Sequence, residues 1–421
     1  MSQNQNVFLI DLGGTYLKGA LLQDGQISSI HREFMPPFVR SRSSEKEYEP
    51  ENLTGRVDLL ISRMSQSFGK PSSVRLSGQM GGLILLSLDG RPITRIRSWQ
   101  DSRAEVSIKG KPSSWEQFCE KHLNDFYELS GRDVKSSTTV VQLFDHILSN
   151  PIEKPFRPLS LLGYIANHIA GSLSSPTVHE SDAAATGMLR INEGDFNRGA
   201  SAKISHLIEF PHLKNAYGPI QSLTRGNPEV MVGVGDQQAS LFGVEMEDHT
   251  VVVNIGTGGQ VASPIAKEPT GLASRVQTRP YFLGSKIGTI THLPAGRMIS
   301  QVVTALFGSA QPEQFERFFA ESASSGPVLP LNLNNVHIPA TGGHNTKLIA
   351  RSVLTEMLNQ YEEAINQLDP SGRKKIVFAG GLGQRFSQFS DALASRTGRP
   401  KEVSEKPETT LAGLGRLKLG D

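Results

Sequence analysis

Cysteine is almost absent from this chain of 421 residues, which carries a single thiol at Cys119. One cysteine can form neither an internal disulfide nor a thiolate zinc site, and the count is typical of a reducing, cytoplasmic compartment. We interpret Cys119 as a packed or surface thiol, the alternative being a catalytic nucleophile.

An excess of charge of one sign is also lacking, because 43 basic residues balance 41 acidic ones for a net charge of +2. This balance favours neither a nucleic-acid nor a membrane partner.

Long apolar runs are lacking too, since the most apolar segment, residues 158–173, contains Asn167 and His168. A buried helix is predicted there, not a membrane span. The polar residues before Val7 do not resemble a signal peptide.

The length of the chain predicts two domains, because one hydrophobic core rarely serves 421 residues. Residues 200–229 are rich in Pro, Gly and Asn, as in a linker. We place the boundary at Asn227-Pro228, which gives domains of residues 1–229 and 230–421.

The first notable motif is a glycine turn after an apolar strand. Residues 7–13 form the run VFLIDLG, and Gly13-Gly14-Thr15 and a second β run follow. A further β run after Asp24-Gly25 predicts a hairpin and a β-meander. Glycines at a strand end let backbone N–H groups approach a phosphate, and Asp11 could hold a metal ion. The alternative is a plain hairpin turn capped by an aspartate.

Several segments have helical periodicity. Residues 51–69 and 348–369 predict amphipathic helices, and residues 115–150 predict helix with a break at Gly131. Ser181-Asp182 could cap a short helix. The chain ends in a helix of small residues.

The second half repeats the pattern of the first. VVVNIGTGG (251–259) parallels VFLIDLGGT (7–15), and IVFAGGLGQ (376–384) parallels VRLSGQMGG (74–82). This internal repeat predicts two halves of like fold, each offering a glycine turn to a shared cleft. Gly296-Arg297 is expected to open a helix between these motifs.

An isolated carboxylate lies shortly before the second glycine turn. Asp236 stands in GVGDQQASLFG, about twenty residues before Gly256-Thr257-Gly258-Gly259. A carboxylate that could accept a proton thus lies shortly before a loop that could cradle phosphate. Taken alone, Gly-Asp-Gln is also typical of a simple turn.

Six segments in this order resemble the FGGY carbohydrate kinases of the actin-like ATPase superfamily. DLGGTYLKG resembles the first phosphate motif, SGQMGG the sugar loop, and SWQDSR the Trp-Asp segment. GVGDQQASLFG resembles the loop of the general base, and VNIGTGGQV and FAGGLGQRFSQFSDALAS resemble the second phosphate and adenosine motifs. The family's sugar-loop histidine is Gly81 here, and its Gly-Glu-Arg segment is not found. Residues 279–298 are more similar to sedoheptulokinase-type members than to glycerol kinase, which favours a ketose as the substrate.

The resemblance implies an α/β fold of two actin-like ATPase (ribonuclease H-like) domains with the catalytic cleft between them. It implies ATP-dependent phosphorylation of a sugar such as sedoheptulose or xylulose, with ATP and Mg²⁺ as cofactors. The sequence does not show the oligomeric state, for which a homodimer is one hypothesis. Asp236 would be the general base and Asp11 the metal ligand. The residues expected to bind sugar are Gln79, Met80, Gly81, Trp99, Asp101, Asp236 and Gln237. The residues expected to bind nucleotide are Gly13, Gly14, Thr15, Lys18, Gly256, Thr257, Gly258, Gly296, Gly380 and Gly381.

Other functions remain open from the sequence alone. A hexokinase-like or ROK-type kinase would share Asp-Leu-Gly-Gly-Thr but would not explain the GQM and GDQ segments. A catalytically silent sugar sensor on the same fold is compatible with Gly81. Lys18 could equally be an outward-pointing strand lysine.

Overall fold

The computed structural model describes residues 6–39, 42–107, 110–220, 228–265, 275–333 and 345–421. The chain divides into two compact units. The first comprises Met1–Gly243, Thr278–Lys286 and Thr410–Asp421, and the second comprises Val244–Gln277 and Ile287–Thr409. The predicted domain division at residue 229 stays a prediction, and Asn227 lies outside the described residues.

The regular elements follow in chain order. The strands are β1 (Val7–Leu12), β2 (Tyr16–Gln23), β3 (Gln26–Phe34), β4 (Glu47–Tyr48), β5 (Ser73–Gly78), β6 (Ile84–Ser87), β7 (Ile96–Arg97), β8 (Phe156–Leu159), β9 (Thr177–His179), β10 (Leu189–Arg190), β11 (Asp195–Phe196), β12 (His212–Lys214), β13 (Glu229–Val230), β14 (Val234–Gly235), β15 (Thr250–Ile255), β16 (Gly259–Pro264), β17 (Gln277–Pro280), β18 (Lys286–Leu293), β19 (Lys375–Ala379) and β20 (Lys401–Val403). The helices are α1 (Pro50–Phe68), α2 (Ser114–Lys121), α3 (Leu123–Phe126), α4 (Thr139–Ser149), α5 (Leu161–Ile169), α6 (Glu180–Ala184), α7 (Arg198–Ile204), α8 (Asp236–Gly243), α9 (Gly296–Phe307), α10 (Pro312–Ser322), α11 (Thr346–Leu368), α12 (Gly381–Arg385), α13 (Ser387–Thr397) and α14 (Thr409–Arg416).

The main sheet of the first unit has the order β13-β5-β1-β2-β3, and β14 also pairs with β5. Strands β1, β2 and β3 form the predicted antiparallel meander, with Asp24-Gly25 as the hairpin turn. Strand β5 returns parallel to β1, with Leu12 opposite Gly78. The carboxyl ends of β1 and β5 therefore lie side by side, which places the loops after them together.

The sheet of the second unit has the same plan, with β18-β16-β15-β19-β20 in order. Strands β15 and β16 are antiparallel, and β19 returns parallel to β15, with Asn254 opposite Ala379. The internal repeat predicted from the sequence is thus confirmed, because its two pairs of segments form equivalent strands. The predicted α/β class is confirmed as well.

Apolar periodicity explains why these elements pack. Strand β1 is buried on both faces, as its continuous apolar run predicts. Helix α1 buries Leu60 and Met64. A Cβ on Gly19 would lie 2.6 Å from the Met64 sulfur, so glycine lets α1 approach β2 closely.

One local prediction is wrong. Ser181-Asp182 does not cap a helix, because His179 is the N-cap of α6 and its side chain accepts the Ser181 N–H. The buried helix predicted within residues 158–173 is confirmed with narrower bounds, since α5 covers Leu161–Ile169. Ser160 caps α5 by accepting the Gly163 N–H, which ends strand β8 and starts the helix.

Among the residues that the structure describes, no helix is long and apolar enough to cross a membrane.

Candidate active site

The turn Gly13–Thr15, the first glycine turn, joins β1 to β2. The Gly13 N–H donates to the Tyr16 carbonyl at 3.0 Å, and the Thr15 carbonyl accepts the Met35 N–H at 3.0 Å. Gly14 and Thr15 are exposed, and a Cβ on Gly14 would meet only the Gln100 amide nitrogen, at 3.9 Å. The turn therefore presents open backbone, which a phosphate could approach.

Asp11 lies near the end of β1 and is buried, with 4% of its surface exposed. Its Oδ2 is 3.7 Å from Lys18 Nζ on the neighbouring strand β2. The register of the hairpin explains this ion pair, because Asp11 and Lys18 are directly opposite. Lys18 thus points toward the carboxylate and not outward to solvent.

The loop Gln79–Gly82 follows β5 and is tied to the first glycine turn. The Gln79 N–H donates to the Leu12 carbonyl at 2.9 Å, and its side-chain amide donates to the Gly13 carbonyl at 3.4 Å. Gly81 and Gly82 have φ angles of 79° and 77°, which favour glycine. A Cβ on Gly81 would lie 3.8 Å from that of Trp99, so the loop passes beside this tryptophan.

Trp99 and Asp101 have different environments. Trp99 is 36% exposed, so its ring could stack on a sugar. Asp101 is buried, and Arg103 binds both of its oxygens, at 2.8 and 2.6 Å. Asp101 Oδ2 also accepts the Lys46 N–H at 2.8 Å. This geometry favours a structural ion pair at Asp101.

We expect Asp101→Asn to lower the free energy of unfolding by about 2 kcal/mol, because a charge-assisted pair is lost from a buried site. Thermal denaturation measures the change, and Asp89→Asn is the matched control in an exposed Asp–Arg pair. A large rise in the KM for sugar with unchanged stability would instead place Asp101 against the substrate.

Asp236 is the first residue of α8, directly after β14, and is partly buried. Its Oδ1 accepts the Gln237 N–H at 2.8 Å. Burial raises the pKa of the Asp236 carboxyl from 3.8 to about 6, against opposing effects of the Gln237 hydrogen bond, Arg279 and Lys18. The carboxylate can therefore exchange a proton near neutral pH. The Gln237 side chain is buried beside it.

A buried ion pair that the sequence did not reveal lies close to Asp236. Arg279 binds Asp133, and its Nη1 is 3.9 Å from the Met80 sulfur. The pair joins residues 146 positions apart, so no local periodicity could indicate it. The only available signal was the Arg-Pro-Tyr-Phe segment, whose arginine lies within strand β17.

The turn Gly256–Gly258, the second glycine turn, joins β15 to β16 in the second unit. The Gly256 N–H donates to the Gly258 carbonyl at 3.0 Å. The N–H groups of Gly296 and Arg297, which open α9, donate to the carbonyls of Gly256 and Thr257 at 3.0 and 3.1 Å. Gly296 therefore supports the turn, as a Cβ there would lie 2.6 Å from the Gly256 carbonyl. A Cβ on Gly256 or Gly258 would point into open space.

Gly380 lies between β19 and α12, and Gly381 is the first residue of α12. Gly380 has a φ of 80°, and an added Cβ would lie 2.6 Å from the Ile255 carbonyl. Glycine is thus required for the close approach of this loop to the end of β15. A Cβ on Gly381 would meet nothing within 4 Å, so its backbone is open.

Within each unit, most of the predicted residues lie together at the carboxyl ends of neighbouring strands. The first unit holds the predicted base, the metal ligand, Lys18, the first glycine turn and the Gln79–Gly82 loop at the carboxyl ends of β1, β5 and β14. The second unit holds the second glycine turn and Gly380-Gly381 at the ends of β15 and β19. No cluster of three or more His, Cys, Asp or Glu suited to a metal occurs among the described residues.

Comparison with known proteins identifies what the chain is similar to. Residues 7–243 match the FGGY family of carbohydrate kinases, N-terminal domain. No curated protein sequence matches the chain.

Solved structures match over nearly the whole length. A xylulose kinase from Lactobacillus acidophilus has a TM-score of 0.79 and 18% identity, covering 98% of this chain and 89% of that chain. A gluconate kinase from the same organism has a TM-score of 0.79 and 17% identity, covering 98% and 88%. A Plasmodium falciparum glycerol kinase with ADP has a TM-score of 0.79 and 14% identity, covering 98% and 88%. These matches confirm the actin-like, ribonuclease H-like fold predicted for the chain.

Proposed function

The chain belongs to the FGGY family of carbohydrate kinases, and we propose that it phosphorylates a ketose with Asp236 as the general base. As a family member it is an ATP-dependent carbohydrate kinase, and its substrate is a sugar. The observation that carries the role of Asp236 is its position at the start of α8, partly buried beside two cations, with a pKa of about 6.

Proton removal is the one chemical step that needs a side chain in this reaction. The sugar hydroxyl gives its proton to a carboxylate oxygen of Asp236 as its own oxygen attacks the terminal phosphorus of ATP. The bond from that phosphorus to the ADP oxygen breaks, and ADP leaves. Catalysis of phosphoryl transfer otherwise depends on positioning and on stabilisation of charge. A base whose pKa lies just below the working pH is ionised and still accepts a proton readily.

The nucleotide is proposed to bind through the two glycine turns. Gly14 and Thr15 offer open backbone in the first unit, where Gly13 would act by closing the turn onto the Tyr16 carbonyl, and Gly256, Thr257 and Gly258 offer open backbone in the second. Backbone N–H groups of such turns stabilise the negative charge of phosphates. Gly296 would act indirectly, because its N–H donates to the Gly256 carbonyl and so holds the second glycine turn in place. Gly380 and Gly381 would let the adenosine lie against the backbone, and Lys18 would add positive charge.

Asp11 is the residue proposed to hold Mg²⁺. A buried carboxylate at a strand end beside an open glycine turn fits a hard cation that keeps most of its water and binds phosphate oxygens. A site with one protein carboxylate agrees with the lack of a larger acidic cluster in the described part of the chain. When bound, Mg²⁺ would neutralise charge on the phosphates. Lys18 pairs with Asp11, so it would help to hold the carboxylate in place.

The sugar is proposed to bind at the Gln79–Gly82 loop. Gln79, Met80 and Gly81 follow β5, next to β14 and Asp236, and Trp99 lies beside Gly81. Gln237 would contact the sugar from α8, whereas Asp101 would act through Arg103. A ketose is favoured by the resemblance of residues 279–298 to sedoheptulokinase-type members, and xylulose kinases are among the similar structures.

The ketose proposal is tested with isomers that differ only in the position of the carbonyl. Initial rates with D-xylulose and D-xylose, and with D-ribulose and D-ribose, are measured at fixed ATP and Mg²⁺. We expect kcat/KM to be at least about tenfold higher for one ketose than for its aldose, since the site would hydrogen-bond the ketose arrangement. Equal or higher values for the aldoses would contradict the ketose proposal and leave the kinase activity standing.

The pH dependence of kcat/KM should report the ionisation of Asp236. The base acts as the carboxylate, so activity should fall as pH falls below about 6, with a slope of one. Arg279→Met should shift this acidic fall in activity to higher pH, because the substitution removes a positive charge that lowers the pKa of Asp236. An acidic fall in activity that stays at the same pH in this variant would contradict the assignment of Asp236 as the base.

Three further predictions about the whole protein stay predictions. They are the division into domains 1–229 and 230–421, the homodimer, and the cytoplasmic location. Light scattering of the purified chain would test the homodimer.

A further inference from the structure

We propose that Ser181 and His179 are positioning residues for the general base, holding the peptide that precedes Asp236 through a directed chain of two hydrogen bonds. The inference rests on the proposed role of Asp236. Neither residue was among the candidates suggested by the sequence for the site. Both side chains are buried, with 1% of their surface exposed.

The first link of the chain joins α6 to the strand that ends at the base. The Gly235 N–H donates to Ser181 Oγ at 3.1 Å. Gly235 is the last residue of β14, and Asp236 follows it directly. A buried backbone N–H needs a partner, because leaving it unpaired costs about 1–3 kcal/mol. Ser181 therefore fixes the position of the peptide group that precedes Asp236.

The second link fixes the direction of the hydroxyl. His179 Nδ1 accepts the Ser181 N–H at 3.2 Å and lies 2.8 Å from Ser181 Oγ. A ring nitrogen that accepts carries no proton, so the hydrogen of neutral His179 is on Nε2. The Ser181 hydroxyl can then donate to Nδ1, which leaves its lone pairs directed to Gly235. Burial lowers the pKa of His179 to about 4, so this arrangement persists at every pH at which Asp236 is ionised.

Packing and strand pairing also restrain the same peptide. Gly235 is paired with Gly78 of β5. A Cβ on Gly235 would overlap the Met80 sulfur and the Gln238 amide oxygen, so the backbone is enclosed on that side. The Gln238 side chain donates to the Pro280 carbonyl at 3.2 Å and anchors α8. The bond to Ser181 adds a restraint from α6. A displacement of the base by about 1 Å can lower a catalytic rate by about 100-fold.

The test is steady-state kinetics of Ser181→Ala at saturating ATP and Mg²⁺ with the best sugar. We expect kcat to fall about tenfold, with both KM values within twofold of wild type, because the base is displaced while the binding residues are not. Ser172→Ala is the matched control, since this serine is also buried but its hydroxyl donates to the Asn167 side chain and makes no bond to β14 among the hydrogen bonds of the described residues. The control should retain wild-type kcat.

A pair of variants at His179 tests the directed chain separately. Asn places an acceptor oxygen near the position of Nδ1, whereas Leu has a similar volume and no acceptor. We expect His179→Asn to retain most of kcat and His179→Leu to lose it to the extent of Ser181→Ala. Because the pair compares two substitutions of one residue, it remains informative if Ser181→Ala does not fold.

Failure of this inference and failure of the proposed function give different results. If Asp236→Asn abolishes turnover but Ser181→Ala and His179→Leu retain wild-type kcat, the positioning role is overturned and the base assignment stands. Equal kcat for the Asn and Leu variants would overturn the directed chain. If Asp236→Asn retains turnover, the proposed function fails, and the positioning role fails with it.

Discussion

Asp236→Asn should lower kcat by about 1,000-fold while leaving the affinity for ATP within twofold of wild type, because general base catalysis contributes about 100- to 10,000-fold. The amide has nearly the same shape as the carboxylate but cannot accept the proton of the sugar hydroxyl. Coupled detection of ADP gives kcat, and isothermal titration with ATP gives the affinity. Asp24→Asn is the control, since it makes the same chemical change in the exposed β2–β3 turn.

The same variant has a predicted effect on stability. The pKa of Asp236 is about 6 in the folded chain, above the ordinary 3.8, so the folded state binds this proton more tightly than the unfolded state. The stabilisation from that proton is present below about pH 4 and is lost as pH rises through about 6. Asp236→Asn should thus be at least as stable as wild type at pH 8. Turnover retained in a stable variant would remove Asp236 from the role of base.

Gly256→Val should raise the KM for ATP by about 10- to 100-fold, the equivalent of one or two lost charge-assisted hydrogen bonds. An added Cβ at Gly256 would point into open space in the structure, so the turn itself should fold. That open space is where a phosphate is proposed to lie against the backbone. The side chain would then block the ligand and not the fold.

The control for this variant is Gly199→Val, which also places a side chain in open space, on the exposed helix α7. It should leave the KM for ATP unchanged. Nucleotide affinity of Gly256→Val is measured by titration with ATP, and its Tm reports the fold. Unchanged affinity with an unchanged Tm would mean that the second glycine turn does not contact the nucleotide.

Short-range patterns explain what the sequence could predict. The apolar run in VFLIDLG predicts a strand buried on both faces, and the glycines after it predict the turn at which the strand ends. The segment VVVNIGTGG has the same pattern of apolar run and glycines. Because the halves repeat, the order of one sheet predicts the other. The Asp24-Gly25 hairpin and helix α1 follow from turn chemistry and apolar spacing, which are local properties.

Long-range contacts explain what the sequence could not predict. Arg279 binds Asp133 across 146 positions, and the Gly235 N–H binds Ser181 across 54. Neither pair leaves a periodic signal. Ser181 was expected as a helix cap on its residue type alone, but His179 occupies that position, and the Ser181 hydroxyl oxygen accepts the Gly235 N–H of β14. Asp101 has the residue type of a sugar ligand, and only the structure shows its oxygens bound by Arg103.

The most direct test of the kinase assignment is the release of ADP by the wild-type chain, measured in a coupled assay with ATP and Mg²⁺. The panel contains D-xylulose, D-ribulose, sedoheptulose, glycerol and the matching aldoses. We predict strong turnover with one ketose, which would show that glycine at position 81 is compatible with catalysis. No turnover with any sugar, despite measurable binding of ATP, would contradict the account and favour a catalytically silent sugar sensor.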